Sequence, residues 1–258
     1  LVILSVDSGS VGAAVDKAAA EGIPVLGYDR LIEDDRAFYL TFDNKEVGRV
    51  IARSILAEVP NGNYAIIKGD KGDPNALFLL EGMMDVIGDA VAAGDVTIVG
   101  EAFTDGWKPD NAQKNMEQIL TANNNNVDAV LSENDGMAGG AIAALEAQGL
   151  AIPVSGQDGD HAALNRVARG TQLVSVWKDA RQLGAAAGNI AAALASGVAM
   201  SDIDGSVKWS GGAKGVEMDA IFLAPTPISA SNIDVVIDAG HIAKDKVCAG
   251  AVAGVSGC

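Results

Sequence analysis

Val127-Asp128-Ala129-Val130-Leu131-Ser132 leads into Glu133-Asn134-Asp135, then an alanine- and glycine-rich stretch that runs to Gly149, then Ile152-Pro153-Val154-Ser155-Gly156 closing on Gln157-Asp158. The first run is apolar except for Asp128 and Ser132, the pattern of a strand covered on both faces. Asn134 and Asp135 are helix-opening residues, and Gly149 is a stop signal. The segment therefore predicts a strand at 127–132, a helix to 149 and a strand at 152–156. Strands joined through a helix lie parallel and cross over with a right hand.

The same alternation extends in both directions. Toward the C-terminus it predicts a helix at about 160–168, a strand at 173–177 and a long helix from Asp179, with a further strand at 216–223. Toward the N-terminus it predicts a strand at 1–6, with Ser8 and Ser10 as candidate caps of a helix that Gly22 stops, and strands at 23–28 and 39–42. Asp43 caps a helix carrying Val47, Val50, Ile51 and Ile55; a strand at 64–68, a helix at about 75–88 and a strand at 96–100 follow. Pro109 opens a helix that buries Met116, Ile119 and Leu120. The fold class is α/β, with parallel sheets flanked by helices. The chain opens directly on the apolar run Leu1-Val2-Ile3-Leu4, so a preceding segment is expected.

Composition narrows the function. The 258 residues carry 18 Lys plus Arg against 34 Asp plus Glu, a net charge of −16. A nucleic-acid partner needs a basic surface to displace counterions, and an anionic membrane surface needs one too. The chain has no basic run, which argues against both. No apolar stretch reaches the roughly 20 residues of a membrane span, and Gly188, Asn189, Ser196 and Gly197 interrupt the alanine-rich helix. Only two histidines are present, which argues against a histidine-based metal site or triad, and no cofactor motif stands out. Gly211-Gly212-Ala213-Lys214-Gly215 lacks the spacing of a phosphate loop. Cys248 and Cys258 are close enough in sequence to close a short loop in an oxidising compartment, or to remain two thiols on a tail.

Ligands of parallel α/β sheets bind at the carboxyl ends of the strands. Those ends read Asp29-Arg30, Asp73-Pro74-Asn75, Asp105-Gly106-Trp107, Asn134-Asp135, Gln157-Asp158 and Trp177-Lys178. Capping explains one such group but not a series holding an Arg, a Lys and two Trp. Carboxylates accept from hydroxyls, Arg, Lys and amide groups donate to the same oxygens, and indole covers the C–H face of a sugar ring. The set points to a neutral ligand rich in hydroxyl groups.

The segments Val25-Leu26-Gly27-Tyr28-Asp29-Arg30, Phe42-Asp43-Asn44, Asp105-Gly106-Trp107, Leu120-Thr121-Ala122-Asn123-Asn124-Asn125, Asn134-Asp135, Ala138-Gly139-Gly140-Ala141-Ile142 and Ser155-Gly156-Gln157-Asp158 resemble the ribose/galactose-type substrate-binding proteins of ABC sugar importers, the xylose binders in particular. The resemblance runs from residue 1 to about 240. It implies two α/β lobes of the type I periplasmic-binding-protein fold, joined by crossing strands, with a monosaccharide (D-xylose or a related aldopyranose) held between them by hinge closure. It assigns 1–43 plus 178–224 to the N-terminal lobe and 44–177 plus 225–258 to the C-terminal lobe, with crossings near Asp43, Trp177 and Ala224. Asp29 and Arg30 are implied as hydroxyl contacts from the first lobe. Asn75, Trp107, Asn134 and Asp158 follow from the second, with Lys178 at a crossing and Asp73 a weaker candidate. Trp107 is implied to stack on the ring, and Asp135 is read as a cap or lobe-surface residue.

Three departures stand beside the resemblance: Pro74 stands where a polar residue is expected, the Cys248–Cys258 tail has no counterpart, and the resemblance makes the first strand here the third of the N-terminal lobe, so that two preceding βα units are expected to be missing. The family implies the permease subunits of an importer as partner, a monomer, a periplasmic location or that of an extracytoplasmic lipoprotein, and no enzymatic step. The alternatives are the sugar-sensing effector domain of a LacI-type transcription regulator and a sugar-converting enzyme. Each residue also has a plain structural reading: a surface ion pair for Asp29-Arg30, packing for Trp107, capping for Asn134 and Asp158, and a helix start for Lys178. His161 reads as a helix-surface residue.

Overall fold

The computed structural model describes all residues, Leu1–Cys258. In chain order the elements are β1 (Val2–Ile3), α1 (Gly12–Ala20), β2 (Val25–Tyr28), β3 (Ala37–Phe42), α2 (Asn44–Glu58), β4 (Gly62–Lys68), α3 (Pro74–Ala93), β5 (Val96–Phe103), α4 (Pro109–Ala122), β6 (Ala129–Ser132) and α5 (Asp135–Ala147). Then come β7 (Ser155–Asp158), α6 (His161–Ala168), β8 (Val174–Trp177), α7 (Ala180–Ala195), β9 (Val207–Trp209), β10 (Met218–Leu223), β11 (Thr226–Ile228), α8 (Asp234–Asp238) and α9 (Lys244–Val247). This is the alternating α/β order that the hydrophobic runs predict.

The chain forms two compact units. The first comprises Leu1–Asn44, Gly72–Leu77 and Asp179–Ala224; the second comprises Lys45–Lys71, Phe78–Lys178 and Pro225–Cys258. The short excursion Gly72–Leu77 gives Asp73 and Asn75 to the first unit, whereas the family resemblance put them on the second lobe.

The sheet of the first unit has the order β1-β2-β3-β10-β9. Its strands are parallel except β9, which returns against β10 with Met218 opposite Trp209. β3 lies in the middle and every one of its residues is buried. Leu26, Phe38, Leu40 and Phe42 meet Leu183, Ala187, Ile190 and Leu194 of α7 in the core of this unit. β1 is shorter than the apolar run suggests, because Leu4 and Val6 are exposed and the chain turns at Asp7. The hydroxyls of Ser5 and Ser10 donate to the Asp7 carbonyl, and Val11, without a capping side chain, occupies the position before α1. Ser8 and Ser10 are therefore turn residues and not caps.

The second unit is built on β5-β4-β6 and β7-β8-β11, linked by a parallel bridge from Val130 to Val154. All neighbours are parallel except β11, which runs against β8 with Thr226 opposite Trp177. β7 begins at Ser155 and not at 152, since Pro153 has no N–H to give to a ladder. One face packs Ile51, Ile55, Leu79, Met83 and Ile87 on Ile66 and Leu131; the other packs Met116, Met137, Ala141 and Leu145 on Ala65 and Val130. α2 and α3 approach closely at Gly48 and Gly82, where an added side chain would meet the carbonyls of Leu79 and Lys45.

Residues 229–258 fold over α6 and the end of β8. Ile233, Val236, Val247 and Val255 bury against Leu164, Val167 and Trp177. Cys248 and Cys258 are joined in a disulfide with Cα atoms 5.4 Å apart. No helix is long and apolar enough to cross a membrane.

Candidate functional site

Parallel strands place all their carboxyl ends on one edge, so each unit presents its own set of strand-end residues there. In the first unit β2 ends in Asp29-Arg30. Asp29 adopts a left-handed backbone with φ 64°. Its N–H donates to the Leu40 carbonyl at 2.8 Å, and its own carbonyl accepts from Thr41 Oγ1 at 2.9 Å and from Asn75 Nδ2 at 3.1 Å. Asn44 Nδ2 donates to Asn75 Oδ1 at 3.0 Å, and the buried Tyr39 hydroxyl donates to the same oxygen at 3.5 Å. Burial and the nearby Asp29 carboxylate push the Tyr39 phenol far above its ordinary range, so it remains a neutral donor.

These bonds leave the Asp29 carboxylate without a hydrogen-bond partner inside the protein. Arg30 Nε stands 3.1 Å from Asp73 Oδ2, and Asp73 Oδ1 accepts from the Asn75 N–H. Asp73 and Asn75 are both buried. They hold Arg30 and Asp29 in place, with most of the Asn75 amide spent inside the protein. Tyr39, Thr41 and Asn44 complete this support; their sequence signal, polar residues within or beside an apolar strand, was not enough to single them out.

In the second unit, Thr104 to Trp107 follow β5. Gly106 has φ 61° and Trp107 has φ 57°, a conformation rare for a bulky residue. Gly106 N–H donates to Asp70 Oδ2 at 2.6 Å, and the indole lies on Gly69, where any side chain would collide with it. The ring is half-buried against both cores, and its Nε1 is buried with no hydrogen-bond partner. Asn134, after β6, caps α5: its Oδ1 accepts from the Met137 N–H at 2.8 Å, which leaves its Nδ2 unengaged. Asp158, at the end of β7, has φ 103°. Its Oδ1 lies 3.2 Å from Lys178 Nζ, and the Lys178 side chain is largely buried. Thus the structure brings Trp107, Asn134, Asp158 and Lys178 to the carboxyl edge of this unit, and Asp29 and Arg30 to that of the other.

Asp135, expected as a cap or lobe-surface residue, stands at the start of α5 with its side chain turned inward. It is fully buried, and its carboxylate accepts from Gly159 N–H (3.0 Å), Asp160 N–H (3.0 Å), Ser175 Oγ (2.6 Å) and Gln172 Nε2 (2.8 Å). Burial, opposed by the Ser175 and Gln172 hydrogen bonds and assisted by the Asp158 charge, raises its pKa to about 7. It fixes the peptide that follows Asp158. Glu133 is also fully buried and accepts from the Gly69 N–H at 2.6 Å, under the Trp107 ring. No group of His, Cys, Asp and Glu side chains is arranged to hold a metal ion.

A family model described as periplasmic binding protein domain matches residues 1–199, and the chain belongs to this family. It is 45% identical over 200 residues to the D-xylose-binding periplasmic protein of Escherichia coli, covering 76% of this chain and 61% of that protein. It is 39% identical over 251 residues to the protein of the same name from Haemophilus influenzae, covering 96% of this chain and 74% of that protein. Among solved structures, an ABC transporter solute-binding protein from Clostridium phytofermentans with bound β-D-glucose superposes with a TM-score of 0.84 at 30% identity, covering 96% of this chain and 82% of that one. A carbohydrate transporter solute-binding protein from Chloroflexus aurantiacus in complex with D-glucose gives 0.87 at 25% identity, covering 95% and 80%.

Proposed function

We propose that the protein is the sugar-capturing receptor of an ABC importer, with D-xylose or a closely related aldopyranose as ligand. One observation carries this reading. Apart from the turn residues Asn124 and Asn125, the non-glycine residues with left-handed backbone are Asp29, Trp107 and Asp158. Each stands at a strand end, and such conformations cost on the order of 1–3 kcal/mol where nothing compensates them. Three such conformations at strand ends, each held by the surrounding structure, mark positions shaped for a ligand.

The roles follow from the donor and acceptor inventory. Asp29 and Asp158 accept from sugar hydroxyls, while Arg30, Lys178 and the Asn134 amide donate to them. Trp107 lays its indole on the apolar face of the ring. Asp73 and Asn75 serve chiefly by holding Arg30 and Asp29. The D-xylose-binding relatives and the two glucose-bound neighbours support a neutral monosaccharide. Capture is a binding equilibrium with no bond made or broken. The protein acts as an extracytoplasmic monomer, the importer's permease subunits are its partner, and nucleic acid plays no part.

Calorimetric titration with D-xylose, D-glucose, L-arabinose and D-galactose tests the proposal. Saturable binding, tightest for D-xylose, with unchanged sugar recovered afterwards, is expected. Absence of heat with all four sugars overturns it, and recovery of a converted product moves the protein to the enzymes.

A further inference from the structure

We infer that His241, in the C-terminal segment closed by the Cys248–Cys258 disulfide, is a positioning residue for the Asp158–Lys178 pair. This rests on the sugar-site reading above. Asp158 is held in an unfavourable backbone conformation, so something must clamp the residues after it. The N–H side of that clamp is Asp135, which accepts from Gly159 and Asp160, with Ser175 Oγ 3.1 Å from the Gly159 nitrogen. The carbonyl side is His241: its Nε2 lies 2.8 Å from the Gly159 oxygen. A carbonyl only accepts, so His241 Nε2 carries the proton.

The same ring packs on Trp177, with centroids 5.1 Å apart and planes at 44°. Trp177 directly precedes Lys178. Gly159 in turn has no room for a side chain, because the Trp177 indole occupies that space. One imidazole thus touches the neighbours of both Asp158 and Lys178. His161 fixes His241 from behind: its Nε2 donates to the His241 carbonyl at 2.9 Å, and the two rings meet edge-on.

The segment that carries His241 is anchored independently. Asn165 Nδ2 donates to the carbonyls of Val247 and Ala249, Val252 N–H donates to Ala168, and Ser256 N–H donates to Ala230. The segment ends in the disulfide. The tail is therefore a brace whose working group is one histidine. Its effect passes through the Gly159 carbonyl and the Trp177 ring and not through the sugar.

His241→Phe keeps the ring on Trp177 and removes the donor; His241→Gln keeps an N–H donor at similar reach. D-xylose titrations and amide hydrogen exchange at Gly159 and Asp160 are run on both variants and the parent. His241→Phe should weaken sugar binding by about threefold to tenfold, the worth of one hydrogen bond. It should also speed exchange at Gly159 and Asp160, while His241→Gln restores both toward the parent. Parent-like binding and exchange in His241→Phe overturn the inference. Should the parent bind no sugar, the sugar reading fails by itself. Exchange then decides the clamp: faster in His241→Phe upholds it, and unchanged rejects it.

Discussion

The Asn75 side chain donates to the main-chain carbonyl of Asp29 at 3.1 Å, so an amide 46 residues away in sequence sets the backbone of a strand end. The same amide oxygen accepts from Asn44 and Tyr39. Asn75→Ala removes the acceptor and strands buried donors, at a cost of about 1–3 kcal/mol in urea-unfolding free energy. Sugar affinity should fall with it. Because Asn75 acts through Asp29, Asn75→Ala added to Asp29→Ala should cost no further affinity. Full additivity of the two losses in titrations would show a direct sugar contact instead.

Asp158 and Lys178 are coupled charges at the end of adjacent parallel strands, 3.2 Å apart. Asp158 is about a third exposed, so water screens part of the attraction. Asp158→Asn and Lys178→Met should each weaken sugar binding by about tenfold or more, the range for hydrogen bonds to charged groups. The double variant should fall short of the sum, with a coupling of about 0.5–2 kcal/mol. Isothermal titration of the four proteins measures it. Strict additivity would mean that the two side chains serve the ligand independently, with the ion pair incidental.

The disulfide between Cys248 and Cys258 closes a loop with a sequence separation of 10. In the chain-entropy account such a loop restricts the unfolded chain by about 2–3 kcal/mol. The Cys248→Ser, Cys258→Ser double variant should lose stability of that order in urea. Val247 and Val255, which flank the bridge and pack in the core beneath it, should become less protected from exchange. An unchanged urea midpoint would mean that packing alone holds the segment.

The unit β6-α5-β7 was legible because its apolar runs, the Asn134 cap and Gly149 all lie within a few residues of the structure they specify. The boundary at Ser155 was missed by a local rule, the missing N–H of Pro153 that stops the ladder. Asp29, Trp107, Asn134, Asp158 and Lys178 could be located because strand ends can be read from the alternation. Their supports could not. Asp135 looked like a helix-start carboxylate, yet its partners Gly159, Gln172 and Ser175 lie 24, 37 and 40 residues further on. His241 likewise meets Gly159 across 82 residues. Neither contact leaves a local trace, and the excursion Gly72–Leu77 into the first unit is equally a matter of tertiary packing.

The buried Asp135 carboxyl makes stability depend on pH in a definite direction. Its pKa is raised to about 7 from 3.8, first by burial. Between those values the native state holds a proton that the unfolded chain releases, so raising the pH favours unfolding. Its contribution is complete below about 4 and is lost as the pH climbs through about 7. Asp160, raised by burial and by the charge of Asp158, adds in the same sense. Asp34, Glu46 and Asp85 are lowered, so they act in the opposite sense, only as the pH falls through their lowered values. Asp135→Asn removes the titration and keeps the shape. Urea unfolding of parent and variant at pH 5 and pH 8 isolates the effect, because contributions of other groups are common to both proteins. The stability of the parent relative to Asp135→Asn should drop by on the order of 1–3 kcal/mol between those two conditions. An equal difference at both would place the Asp135 proton outside this range, with the carboxylate ionised throughout and held by its four donors.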